Sequence, residues 1–182
     1  MAIQMRGARL KEHLVGVAAE LFYIEGVHRV GVDRVADAAG VTKRTLYHHF
    51  RSKDDLVAAA LRASPIVLFP KEGEPLARIR GAFSALSQYL RDNNFRGCPY
   101  IIFTAELTER HHPARQLIER RIEKRRKWFE ARLLEAGFPD ARARAEELDI
   151  VFDGALAASV KRVSLDPVRA AIALASRVLE RS

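Results

Sequence analysis

The chain reads as all-α, a small helix-turn-helix head followed by a larger helical body. Three observations predict this. Apolar residues recur at spacings of three and four in segment after segment, the period of a helix with one buried face. Glycines, prolines and hydroxyl or acidic residues fall where such segments start and stop. Runs alternating with period two, the mark of strands, do not stand out.

Residues 8–25 place Leu10, Leu14, Val17, Ala18, Leu21 and Phe22 on one face, and Gly26 follows as a stop. A short helix is predicted over 32–39, with Val32, Val35, Ala36 and Ala39 inward, Gly31 at its N-cap and Asp33 in its first turn, where the helix dipole favours an acid. Gly40 ends it. Thr42 caps a third helix, 43–50, whose inner side carries Leu46 and Phe50. Ser52-x-x-Asp55 resembles a capping box and opens a fourth, Lys53 to about Ala63. The stretch SPIVLFPKEGEP, 64–75, breaks the pattern with three prolines and a glycine, so the domain boundary is placed there: 1–63 head, 64–182 body. The body reads as helices at 75–93, 99–110, 113–136 (Pro113 first, Gly137 last), 141–163 (capped by Asp140) and from Asp166-Pro167 to about Leu179. About nine helices result.

With 182 residues, 48% hydrophobic and 30% charged, the composition is that of an ordinary globular protein with room for a real core. The single cysteine, Cys98, rules out a disulfide framework within one chain. The first residues carry no apolar signal region and no run is long enough to span a bilayer, so no membrane partner and a cytoplasmic location are expected. The net charge of +8 favours a polyanionic partner without locating it. Residues 1–62 hold ten Lys or Arg against seven Asp or Glu, so most of the excess lies further on. Local arrangement has to decide.

That arrangement is VTKRTLYHHFRSKDDL, 41–56. Two short helices across Gly40-Val41-Thr42 form a helix-turn-helix pattern, in which the second helix enters the major groove of DNA. With Leu46 and Phe50 turned inward, Lys43, Arg44, Tyr47 and His48 face outward, able to bond base edges and phosphates. Thr42 and the amides of the first turn can receive a phosphate.

The ordered elements Ala18–Ala19, Leu21–Phe22, Gly26, Val35–Ala36, Ala39–Gly40–Val41, Thr42, Thr45, Leu46–Tyr47–His48–His49–Phe50, Ser52–Lys53 and Leu56 resemble the DNA-binding head of the tetracycline-repressor (TetR) family of bacterial regulators. The resemblance covers about a quarter of the chain. It implies that Thr42, Lys43, Arg44, Thr45, Tyr47, His48 and His49 line the DNA side and that Lys53 clamps a phosphate. Family members often carry Thr or Ser where this chain has Val30–Gly31, which removes a hydroxyl that could cap the next helix. RGCPYI, 96–101, with HPARQLI, 112–118, is similar to a subgroup of the same family.

For the body, two apolar stripes are expected to form a homodimer: Leu148, Val151, Phe152, Ala155, Leu156 and Ser159, then Ala171, Ile172, Ala175, Val178 and Leu179. Two helices from each subunit would make a four-helix bundle, which the resemblance also implies; the alternative is that a stripe packs on its own subunit. A small apolar effector is expected among Phe83, Leu86, Tyr89, Leu90, Tyr100, Phe103, Thr104, Leu107, Ile122 and Phe129, with Gln88, Thr104 and Glu106 as polar residues able to orient it. The fourth helix, part of the head, would carry the signal.

Other features are read structurally. The basic run RRIEKRRKWFEAR, 120–132, is a solvated helix face, with Glu123–Lys127 and Arg126–Glu130 at four-residue spacing and Ile122, Phe129 and Leu133 on the core side. His111-His112 is a satisfied or exposed pair rather than a metal site, and Cys98 a small buried hydrophobe. No cofactor is called for, and no phosphate loop, nucleophile elbow or His-x-x-x-His pair is present. The reading is a homodimeric regulator, a repressor of a palindromic double-stranded DNA operator released by a small effector. The alternatives are a helical enzyme or ligand-binding protein acting on an acidic substrate, and a DNA binder without an effector.

Overall fold

The computed structural model describes residues 2–64, 66–109 and 111–180, with side chains from residue 7 onward. Among them are nine helices and no strand: α1 Ala2–Glu25, α2 Val32–Ala38, α3 Lys43–His49, α4 Lys53–Ala63, α5 Pro75–Asp92, α6 Pro99–Glu106, α7 Pro113–Glu135, α8 Ala141–Arg162 and α9 Asp166–Val178. Most boundaries fall within a residue or two of the predicted ones, because the end signals act locally. Gly26, Gly40 and Gly137 adopt φ of 95°, 67° and 81°, a left-handed conformation that stops a helix at little cost only in glycine. Thr42 and Ser52 each accept the amide three residues on, Thr45 and Asp55, at 3.1 Å.

Two element ends differ from expectation. The sixth helix stops at Glu106 instead of 110, where the Glu106 carboxylate turns to the backbone of residues 27 and 28. Asp140 precedes α8 but makes no side-chain cap; its two oxygens accept instead from Arg144 Nε, both at 2.8 Å. That hydrogen bond holds the Asp140 carboxyl below its ordinary range.

The chain divides into two compact units, the described residues within Met1–Pro65 and Pro99–Glu119, and those within Ile66–Cys98 and Arg120–Ser182. The described residues within 99–119 therefore share one compact unit with the head. Phe103, Leu107, Ala114 and Ile118 join Leu14, Ala18, Phe22, Val35, Leu46, Leu56 and Leu61 in one core. A 60-residue domain buries only about 60% of its chain surface, and the returning segment enlarges that core. It also lies beyond the reach of a boundary drawn at prolines.

The second unit is built on α5, α8, α9 and the rest of α7, with Phe83, Phe129, Phe152 and Leu148 in its core. The stretch at 66–70, read as a break in the helical pattern at the domain boundary, is part of it: Val67 is buried and Phe69 lies 4.7–5.7 Å, ring to ring, from Trp128, Phe129 and Phe152. Gly81 lets this stretch lie against α5, since a Cβ there would come within 2.8 Å of Pro70. Arg125 crosses this core, donating to the buried Asp149 and, at 2.8 Å, to Asp153. Burial works against its charge, but the bonds to Asp149 and then Asp153 outweigh it and raise its pKa above the ordinary arginine value.

Candidate DNA-reading surface and the elements behind it

The helix-turn-helix forms as the sequence implies. Leu46 is fully buried and Phe50 nearly so, which fixes the rotation of α3 about its axis. The opposite face then carries exposed Lys43, Arg44, Tyr47 and His48, with Thr42 exposed at the cap. Thr42, Arg44, Thr45, Tyr47 and His48 line one shallow concavity. The structure brings these five together; Lys43 lies beside them, while His49 and Lys53 are half-buried.

Three of these side chains are occupied. The Thr42 and Thr45 hydroxyls bond each other at 2.9 Å, so both serve the cap and present only remaining lone pairs outward. Lys43 Nζ donates to Asp33 of α2 at 3.0 Å, a hydrogen bond that raises the lysine pKa. The sequence placed Asp33 as a helix-start acid; its pairing with Lys43, ten residues on, belongs to the tertiary turn. Arg44, Tyr47 and His48 remain as outward groups on the reading helix, and Gly31 caps α2 without a side-chain bond.

Behind this surface lies a clamp that the sequence did not reveal. Glu106 accepts from the Val27 amide at 2.5 Å and from the His28 amide at 3.2 Å, while His28 Nε2 donates to the Glu106 carbonyl at 2.6 Å. The carboxylate sits 3.2 Å from where a Cβ on Gly26 would stand. The turn that launches α2 is thus held by the end of α6. A signal was present in the chain: an acid at the last position of a helix opposes the dipole and needs another partner. Nearby, buried His112 accepts the Ala114 amide at Nδ1 and places Nε2 3.4 Å from Asp54, next to Lys53. His111 is exposed, and no group of three potential metal ligands occurs among the described residues.

The expected effector residues divide between the two units. Phe83, Leu86, Tyr89, Leu90 and Phe129 fill the body core, whereas Phe103 and Leu107 belong to the head core with Tyr100 packed on it. Ile122 is 43% exposed rather than on the core side. The polar candidates are engaged: Thr104 donates to the Tyr100 carbonyl at 2.6 Å, Gln88 to Asp92 at 2.6 Å, and Glu106 forms the clamp. Spacing selected apolar faces correctly and could not say which core each face joins.

The residues expected to form the dimer pack within their own unit. Leu148, Phe152, Ala155, Leu156, Ser159, Ala171, Ala175 and Leu179 are buried in the core of their own unit, and Val151, Ile172 and Val178 are half-buried. The outward face of α8 and α9 is instead Ile150, Gly154, Ala157, Ala170, Ala173 and Leu174, with Ile150 65% and Leu174 47% exposed. The larger side chains formed the more visible stripe, and that stripe is core. On α7, Lys127 pairs with Glu123 as expected, but Arg126 joins Glu123 and Glu146, not Glu130.

Comparison with known proteins decides the family. The profile described as "Bacterial regulatory proteins, tetR family" matches residues 14–60, and that described as "Transcriptional regulator LmrA/YxaF-like, C-terminal domain" matches 75–173. The chain belongs to the TetR family of transcriptional regulators. It is 27% identical over 154 residues to the transcriptional repressor KstR2 of Mycolicibacterium smegmatis, covering 80% of this chain and 73% of that one. To the regulator TcmR of Streptomyces glaucescens it is 29% identical over 100 residues, which is 52% of this chain and 44% of that protein's length. A TetR-family regulator of Streptomyces coelicolor superposes with a TM-score of 0.74 at 27% identity, over 93% of this chain and 97% of the other. As a TetR-family protein it is a DNA-binding transcriptional regulator in which α2 and α3 form the helix-turn-helix, and no helix among its described residues is long and apolar enough to cross a membrane.

Proposed function

We propose that this TetR-family regulator is a homodimeric repressor that binds a palindromic operator and is released by a small apolar effector engaging its body. The observation that carries the DNA half is the rotation of α3: with Leu46 and Phe50 buried, Arg44, Tyr47 and His48 project together from the reading helix. Arg can bond guanine edges in pairs, while Tyr and His meet phosphates or thymine methyls. Lys53 and the threonine cap supply backbone contacts that fix register.

The dimer is carried by the outward face of α8 and α9. Exposed small residues, Gly154, Ala157, Ala170 and Ala173, flanked by Ile150 and Leu174, suit close helix approach to a second copy. A two-fold dimer then presents two reading helices, so half-sites recur at about one turn of DNA or a multiple.

Coupling is supported by α7, a single helix whose Ile118 lies in the head core and whose Phe129 and Leu133 lie in the body core. An effector shifts DNA affinity only by its preference for one conformation, about 1.4 kcal/mol for each tenfold change. Reaching Phe83 and Phe129 would require opening a packed core, so the effector reading for those residues is one of rearrangement.

The test is a mobility shift with DNA from the gene's own upstream region, run against random duplex over a salt series. The expected result is selective retention with a two-fold symmetric footprint and a steep salt dependence. Equal affinity for both duplexes at every salt concentration would overturn the operator reading.

A further inference from the structure

The basic run on α7 has a part that DNA reading does not use. Arg121, Lys124, Arg125 and Trp128 recur at three and four residues, so they share one face of the helix. That face looks onto the 66–71 stretch, and between them lies a groove of about 360 Å³, within the range of small-molecule sites. Its apolar wall is Val67, Phe69, Trp128 and Leu68, the last 77% exposed. An exposed leucine beside a tryptophan, at the edge of a concave groove, is apolar surface that a ligand would cover.

The charges of the groove differ in availability. Arg125 is taken by Asp149 and Asp153. Arg121 donates to the Val67 carbonyl at 3.1 Å, holding the 66–71 stretch over the helix. The Lys71 and Lys124 side chains are exposed and have no partner among the described residues. No carboxylate is among the lining residues. Two uncompensated ammonium groups therefore border an apolar wall backed by an aromatic cluster, in which the Phe69 ring lies 4.7 Å from that of Trp128 at a tilt of 52°.

We infer that this groove binds an amphipathic organic anion, a carboxylate carrying an aliphatic or flat apolar body. The carboxylate lies between Lys71 and Lys124, and the body covers Leu68, Phe69 and Trp128. A polyanion such as DNA would use the lysines and leave the apolar wall unsatisfied; a neutral apolar compound would do the reverse. The inference rests on the reading that the body takes a small effector, and it narrows that effector from a simply apolar compound to one whose apolar body carries a carboxylate, held in this groove.

Trp128 is the single tryptophan of the chain, so its emission reports this groove directly. The full chain is titrated with decanoate, decanol and decyltrimethylammonium, each below its micellar concentration. Decanoate should shift the emission saturably, decanol more weakly, and the cation least. Lys71→Glu with Lys124→Glu should weaken decanoate by about tenfold or more, equal to about 1.4 kcal/mol, and change decanol by no more than about twofold. Leu68→Asn, at an exposed position that does not threaten folding, should weaken decanoate and decanol alike. Equal binding of all three probes, decanoate affinity unchanged by charge reversal, or an emission change produced only by duplex DNA or by raising protein concentration would each overturn the proposal. Operator binding without any amphiphile is measured separately. If the groove fails and the mobility shift succeeds, the regulator reading stands; if selective DNA retention fails while decanoate binds, only that reading falls.

Discussion

The head and the body of this regulator are built from helices of the same kind, yet their functional faces were not equally legible. In the head, α2 and α3 are seven residues each, with one inward side. Once Leu46 and Phe50 are assigned to the core, Lys43, Arg44, Tyr47 and His48 are the positions of α3 left exposed, and the candidate DNA face follows. In the body, α8 runs for 22 residues and is apolar or small on two sides. One side, with Leu148, Phe152 and Leu156, is core; the other, with Ile150, Gly154 and Ala157, is surface. A short amphipathic helix has one answer, and a long helix with two apolar sides has two. Only packing chooses between them.

The largest effect that sharpens this contrast comes from placing a carboxylate on each side of α8. Phe152→Glu buries an unpaired charge among aromatic rings and should cost about 5 kcal/mol or more, leaving no cooperative unfolding transition. Ile150→Glu should keep the helical circular dichroism and melting transition but sediment as a monomer. If Phe152→Glu instead gave a folded monomer, the stripe first read as the interface would be restored.

Next in size is Arg125→Met, which strands Asp149, a buried carboxylate whose ion pair is lost. A loss of roughly 3–5 kcal/mol is expected in denaturant unfolding. A solvated face, the reading of this run from sequence, would give a change near zero.

In the head, Glu106→Ala removes a charged acceptor from the Val27 and His28 amides and should cost about 1.5–3 kcal/mol of stability. If the clamp also fixes the launch of α2, operator affinity should fall by more than the unfolded fraction accounts for. Arg44→Ala, at an exposed position, should leave unfolding unchanged and cost about 1–3 kcal/mol at one base pair of the operator. Lys53→Ala should weaken all duplexes alike and lower the salt slope by about one. Equal, sequence-independent losses for both would remove Arg44 from base reading.

The smallest expected effect is that of Asp33→Asn. It frees Lys43 for phosphate and removes an anion from the DNA side, so the salt slope should rise by about one. The asparagine variant also loses the carboxylate charge whose hydrogen bond to Lys43 raises the lysine pKa. A raised value means the pair's contribution to stability is fully present below the ordinary lysine range and is lost as pH rises through the folded value. Wild type and variant should therefore converge in melting temperature at strongly alkaline pH. A gap that widens there would contradict the pairing.

What the sequence determined by itself is what depends on near neighbours along the chain. Helix ends followed from Gly26, Gly40, Thr42, Ser52 and Gly137, because caps and left-handed glycines act over three or four residues. The rotation of α3 followed from Leu46 and Phe50, because seven residues leave one apolar side. The ordered motif from Ala18 to Leu56 also carried the family.

What only the tertiary structure decided involves partners far apart in the chain. Glu106 meets Val27 across 79 residues, Arg125 meets Asp149 across 24, and Lys43 meets Asp33 across the helix-turn-helix itself. The return of 99–119 to the head, and the choice of which side of α8 is core, are of the same kind. A helical period states that a face is buried, but the surface that buries it depends on how the whole chain packs.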